Sequence, residues 1–283
     1  MHSLTLQEDQ PLSLDITLSC GQVFRWQKAD NGWWQGIVGD RMIRIRQDGR
    51  TLRYTGAGRG FIEHYFALEQ DLPLIVSSFD NDPFIHAARE RCTGLRLIRQ
   101  PPWECLISYI CATNSNIPMI RTRIENIAQR FGNPLGTGIK PGYGFPEPSS
   151  IAGCCDAVLS ECKMGYRGPY VRKTACSISD PDEWAQRISS LPFADARREL
   201  MQLQGVGPKA ADCILLFAFQ KYEAFPVDVW IRRIMRENYL PHLSDRGALT
   251  AREYDAIRVF GREHFGPYCG YAQEYLYAAR EVI

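Results

Sequence analysis

Leu203-Gln204-Gly205-Val206-Gly207-Pro208-Lys209-Ala210-Ala211-Asp212 is the stretch from which the rest of the chain can be read. One helix stops at Gln204 and two glycines reverse the chain. Pro208 then opens the next helix, at a position where its missing N–H costs nothing. Bare N–H groups at that helix start can be approached closely because glycine has no side chain, and they form an anion site that suits a phosphate. Gly205 and Gly207 are therefore candidate phosphate-contacting residues, although an ordinary helix–turn–helix corner fits the same residues. Lys209 shifts that balance. A cation in the first turn of a helix is disfavoured by about 0.3–1 kcal/mol. That field, with partial desolvation from the apolar run Cys213–Phe219, favours the neutral and nucleophilic amine. The bland reading is a lysine whose ammonium reaches water or a phosphate.

Nineteen residues on stands Pro226-Val227-Asp228, just before the helical pattern Val229–Asn238. Asp228 fits a helix N-cap, worth about 1 kcal/mol. It also fits a carboxylate aimed at the same cleft as Lys209, where it would stabilise positive charge developing on a sugar. A capping aspartate is rigidly oriented, so both readings can hold together.

Outward from this pair, the C-terminal part reads as helices over 103–112, 194–203, 208–219, 229–238, 251–263 and 269–282, with a further helix carrying Ile120, Ile124, Ile127 and Phe131 on one face. Residues 132–153, rich in Gly, Pro and Ser, read as a long loop. The N-terminal part reads as sheet. Leu12, Leu14, Ile16 and Leu18 alternate with polar neighbours and predict a strand. Trp33–Val38 predicts another, and Met42–Gln47 and Thr51–Tyr54 flank the tight-turn signal Asp48-Gly49. Helical patterning starts at Phe61, with turn signals at 71–73 and 81–83. The expected class is α+β: an N-terminal antiparallel sheet domain with helices over 1–98, then a mostly helical domain over 99–283.

The 33 basic and 32 acidic side chains leave a formal charge of +1, so any polyanion must be held by a local patch. Residues 162–178 supply one, with Lys163, Arg167, Arg172 and Lys173, no acid, and Tyr166 and Tyr170 interleaved. The ten cysteines are scattered without a Cys-x-x-Cys pair, and the five histidines lie far apart, which argues against a metal site. Neither a membrane-length apolar run nor a secretory pattern is present, and an intracellular protein is expected.

The hairpin with Lys209, followed by Pro226-Val227-Asp228, resembles the helix-hairpin-helix superfamily of DNA glycosylases, and within it the 8-oxoguanine DNA glycosylase/AP lyases. Cys20-Gly21-Gln22-Val23-Phe24-Arg25-Trp26, Glu104-Cys105-Leu106 through Thr113-Asn114-Ser115-Asn116, Gly165-Tyr166-Arg167 and Gly270-Tyr271-Ala272-Gln273 resemble further family segments, in the family's order. The resemblance implies that the damaged nucleotide is flipped out of the duplex. Lys209 then attacks C1′, Asp228 stabilises charge on the sugar, and the Schiff base permits β-elimination. The Gly21 carbonyl would accept from the N7–H that 8-oxoguanine has and guanine lacks. Gln273 would bond the base's Watson–Crick edge, and Cys213 and Tyr277 would sandwich its ring. Asn114 and Arg167 would contact the cytosine left behind, with Tyr166 wedged into the vacated stack.

The implied partner is duplex DNA containing 8-oxoguanine, bound by a monomer without cofactor, in the cytoplasm and nucleoid or the nucleus. Met119 stands where members of the family have an arginine that helps recognise the cytosine, which implies relaxed opposite-base specificity. Trp230 and Arg280 replace a histidine and an aspartate that interact in those members. Endonuclease-III-like relatives carry a four-cysteine iron–sulfur loop after the catalytic aspartate; only Cys269 follows Asp228 here, so no cluster is expected. Two other functions fit parts of the pattern: alkyl-purine excision, and damaged-DNA binding without catalysis, with Lys209 as a phosphate contact.

Overall fold

The computed structural model describes residues 1–80, 82–136, 142–243 and 247–281. Strands β1 (His2–Thr5), β2 (Trp26–Lys28), β3 (Trp34–Val38), β4 (Arg41–Asp48) and β5 (Thr51–Thr55) form an antiparallel sheet in the order β1-β5-β4-β3-β2. Alternation fixes its faces: Ile43, Ile45, Leu52 and Tyr54 are buried on one side. Gly49 turns the β4–β5 hairpin at a φ of +59°, in the left-handed region that the Asp-Gly signal requires. Gly36 is needed for another reason. A Cβ there would lie 2.3 Å from Trp26 Cδ2, so the tryptophan ring packs against bare backbone across the β2–β3 pair.

The strand expected over residues 12–18 is a helix, α1 (Leu14–Ser19). Ser13 caps it, its side chain accepting from the Ile16 N–H. Leu14 and Leu18, one turn apart, are both buried, so the apolar spacing that fits a strand also fits one helical face, and the cap decides between them. Three more helices follow: α2 (Arg59–Tyr65), α3 (Leu72–Ser77) and α4 (Pro83–Arg91). The turn signals before α3 and α4 are their caps: Asp71 accepts from the Leu74 N–H, and Asp82 from those of Phe84 and Ile85.

The remaining helices are α5 (Pro102–Ala112), α6 (Ile117–Phe131), α7 (Pro148–Ala152), α8 (Asp156–Glu161), α9 (Arg167–Ser177), α10 (Pro181–Ser190), α11 (Phe193–Leu200), α12 (Pro208–Phe219), α13 (Val229–Asn238), α14 (Ala251–Phe265) and α15 (Cys269–Ala278). The stretch read as a loop over 132–153 carries a two-residue ladder, β6 (Pro134–Leu135) with β7 (Gly142–Tyr143), and α7; residues 137–141 lie outside the described set. The last helix ends at Ala278, short of the expected 282, which is itself outside the described residues.

The sheet encloses one apolar core, closed by Phe66 and Ile98. A second core holds most of the helices, and α3 and α4 pack into it. At its centre lie α5 and α12. Trp103–Cys111 and Ala210–Phe219 are buried without interruption, which is why neither shows an amphipathic stripe in sequence. This matters for the site, because α12 is a rigid rod with Lys209 at its open end.

Candidate active site

The 203–212 hairpin forms as its residues dictate. Gly205 adopts a φ of +82°, and a Cβ there would lie 2.9 Å from Tyr170 Cδ2, so no larger residue fits without a shift. Around Gly207 the space is open, and its φ of −90° places it as the N-cap of α12 with no side-chain cap. The first N–H groups of α12 therefore face outward without a side-chain partner, as an anion site needs.

Lys209, half-buried in the first turn, holds its Nζ 5.3 Å from the Tyr109 ring centroid. Asp228 caps α13, with Oδ1 accepting from the Trp230 N–H at 3.0 Å and the Ile231 N–H at 2.8 Å. Both bonds fall on one oxygen, so the second oxygen takes no part in the cap. Lys209 and Asp228 line a single cavity of about 630 Å³, its open mouth included. Gly21, Cys213, Gln273 and Tyr277 line the same cavity, so the catalytic and base-binding candidates are brought together from four separate chain segments. Phe24, Tyr109 and Phe217 complete its aromatic wall, Tyr109 stacked on Phe217 with centroids 5.9 Å apart.

A strut beneath the cavity sets the α12 end against the Asp228 segment. Asp212 is fully buried; burial pushes its carboxyl up and Arg197 pulls it down. Its Oδ1 accepts from Arg197 Nε at 2.7 Å and its Oδ2 from the Tyr254 hydroxyl at 2.6 Å. The same hydroxyl accepts from the Val227 N–H at 3.4 Å, one residue before Asp228. Arg197→Ala, by leaving a buried carboxyl short of its cation, is expected to destabilise the fold by about 3–5 kcal/mol, measurable by denaturant unfolding.

Each pocket residue has a definable local reason. Gly21 takes a φ of +112°, and a Cβ there would sit 3.2 Å from Tyr277 Cε1, so backbone and ring are in close approach. Gln22 clamps this turn: its side chain donates to the carbonyls of Thr17 and Arg96 and accepts from the Ile98 N–H. Burial pushes the Cys213 thiol up to about 12, which makes it a packing group rather than a nucleophile. Gln273 is 4% exposed and its Oε1 has no hydrogen-bond partner. The Arg280 guanidinium carbon lies 4.4 Å from the Tyr277 ring centroid and 5.9 Å from that of Trp230, so Arg280 sits between Trp230 and Tyr277, the latter a lining residue of the cavity.

A second cluster forms beside the α5–α6 loop. Asn114, exposed and at a φ of +47°, donates from Nδ2 to the Tyr166 hydroxyl, and Tyr166 is 49% exposed. Arg167, from the expected basic patch, is instead buried: it donates to the Thr113 and Asn114 carbonyls and lies against the Tyr166 ring. Arg172 is paired with Asp156 at 2.8 Å, which further thins the patch. Met119 is exposed on the first turn of α6, next to this cluster.

One functional candidate is not visible in the sequence. Glu274 lines the cavity although it is 3% exposed. The only signal for it in sequence is an acid placed within an aromatic helix. Among the described residues no group of metal-ligating side chains occurs, and no helix is long and apolar enough to cross a membrane.

Comparison with known proteins gives the family. Residues 3–106 match the family model of the 8-oxoguanine DNA glycosylase N-terminal domain. A probable N-glycosylase/DNA lyase of Methanothermobacter thermautotrophicus is 32% identical, over 93% of this chain and 92% of its own. The N-glycosylase/DNA lyase of Saccharomyces cerevisiae is 30% identical, over 94% and 83%. The solved 8-oxoguanine glycosylase/lyase of Clostridium acetobutylicum is 32% identical with a TM-score of 0.88, covering 98% of this chain and 96% of that one. A 3-methyladenine DNA glycosylase from Archaeoglobus fulgidus, at 18% identity and a TM-score of 0.79, shares the fold. The chain belongs to the 8-oxoguanine DNA glycosylase family.

Proposed function

We propose that this enzyme excises 8-oxoguanine from duplex DNA with Lys209 as nucleophile and Asp228 as the stabiliser of sugar charge. The observation that carries the reading is their convergence, with Gly21, Cys213, Gln273 and Tyr277, on one cavity. The target nucleotide must leave the stack to reach it. As the C1′–N9 bond breaks, the departing base takes the electron pair, and positive charge on the sugar is met by the free oxygen of Asp228. The Lys209 amine forms the new bond to C1′. Ring opening gives a Schiff base, and loss of a proton from C2′ expels the 3′ phosphate. Tight aromatic and thiol packing holds the base, and the Gly21 carbonyl selects for N7–H.

Tyr166 wedges the vacated stack, and Asn114 meets the orphaned base. Arg167 joins it once DNA contact draws it off the Thr113 and Asn114 carbonyls. Gly205 and Gly207 place the hairpin's backbone against a phosphate. A DNA substrate locates the enzyme's work inside the cell, in the nucleoid or the nucleus. Single-turnover excision from duplexes carrying 8-oxoguanine or an alkylated purine tests the assignment. Release of 8-oxoguanine with strand nicking is expected; release of the alkylated purine alone, or binding with no base release, contradicts it.

Met119 supplies no hydrogen-bond donor to a cytosine, so comparable rates are expected opposite C and A. Met119→Arg is expected to raise the preference for C by about 10-fold or more, read from the same single-turnover assay. A strong preference for C in the wild type would contradict the role given to this position.

A further inference from the structure

The chemistry above uses one carboxylate, yet the cavity wall contains two. Glu274 sits on α15 beside Gln273, 3% exposed, and its Oε1 has no hydrogen-bond partner. Beside it lies the Cys20 thiol, one residue before Gly21. The charged and titratable groups facing it come from every neighbouring element: Asp228 at the start of α13, Lys209 and Cys213 on α12, Arg280 beyond α15, Tyr109 on α5, Tyr277 on its own helix, Cys92 after α4 and Cys20 after α1. Of the two cations, Lys209 is the nucleophile and Arg280 is stacked on Tyr277 and donates to its carbonyl. Among the described residues no partner is dedicated to neutralising a charge on Glu274.

We propose that Glu274 is a positioning residue of the excision reaction: uncharged, it packs beside the Cys20 thiol at the pocket turn and leaves Asp228 the sole charged acid among the described residues that line the cavity; ionised, it disables the site. The proposal rests on the reading of this cavity as the lesion pocket. The electrostatic reason is direct. A second carboxylate in a poorly solvated wall repels Asp228 and disfavours the negative charge that the departing base takes up. Burial, reinforced by Asp228, raises the Glu274 carboxyl to about 8, against opposing pulls from Cys20, Arg280 and Lys209. At neutral pH the proton is therefore in place, and the site works below the pH at which it leaves.

The test compares wild type with Glu274→Gln in single-turnover excision of 8-oxoguanine between about pH 6 and 10. Wild-type rates are expected to fall at least about fivefold from the plateau as pH rises past 8, while E274Q stays within about threefold of the plateau throughout. Superimposable alkaline limbs, or a wild type with no alkaline fall, overturn the proposal. Absence of any 8-oxoguanine release by wild type would instead overturn the reading of the pocket, so the two failures are distinguishable. Should E274Q not fold, a carbon-13 NMR titration of Glu274 in the wild-type chain decides. A protonated carboxyl at pH 7 that ionises near pH 8 supports the proposal, and a carboxylate at pH 7 overturns it. Thermal unfolding gives a readout independent of activity. A raised carboxyl contributes stability that is complete below its ordinary value of 4.5 and is lost as pH rises through about 8. E274Q is therefore expected to gain on wild type over that range, and a pH-independent difference would count against the proposal.

Discussion

Lys209→Gln is expected to lower single-turnover excision of 8-oxoguanine by at least about a thousandfold while leaving the folded protein slightly more stable. The two effects have opposite signs for one reason. Lys209 sits in the first turn of α12, half-buried, where the helix field works against a cation. Removing that cation relieves about 0.3–1 kcal/mol, which thermal unfolding can detect. Removing the amine eliminates the proposed nucleophile, and glutamine supplies no replacement. A lysine that served as a phosphate contact would behave differently: its loss would weaken DNA binding and steepen no loss of chemistry. The decisive comparison is therefore excision under saturating enzyme, where binding no longer limits the rate.

Asp228 allows the structural and chemical roles to be separated by two substitutions. Its Oδ1 carries both capping bonds, to the N–H groups of Trp230 and Ile231. Asparagine caps a helix about as well as aspartate, so Asp228→Asn should keep stability within about 0.5 kcal/mol. It loses the negative charge, and excision is expected to fall about 10²–10³-fold. Asp228→Ala should show a similar rate loss together with about 1 kcal/mol of destabilisation. If the asparagine variant retained wild-type rates, Asp228 would be a cap and nothing more. Unfolding curves and single-turnover rates measured on the same preparations separate these outcomes.

What could be read from sequence follows from where the physical requirement is written. The hairpin is legible because its backbone demands are local: a positive φ at Gly205, an uncapped helix start at Gly207 and a proline at the first helical position. The β4–β5 hairpin is legible for the same reason, through Gly49 and clean alternation. Residues 12–18 read as a strand and form a helix because Leu14 and Leu18 satisfy both periods, and the serine cap that settles the matter lies within an apparent strand pattern. Arg167 looks like a solvated member of a basic run. Its burial depends on a carbonyl pair in the α5–α6 loop, some fifty residues earlier in the chain. Glu274 is the deepest miss. On a helix that reads as aromatic core, an acid is easily assigned to the solvent side, and only the convergence of α1, α12, α13 and α15 shows that this position faces the cavity.

The central claim is that one amine forms the bond to the sugar. Reduction with borohydride during turnover on an 8-oxoguanine duplex, followed by protease digestion and mass spectrometry, locates that bond directly. The account predicts a reduced sugar adduct on the peptide containing Lys209, and its disappearance in Lys209→Gln. An adduct on another residue, or base release with no adduct at all, would contradict it.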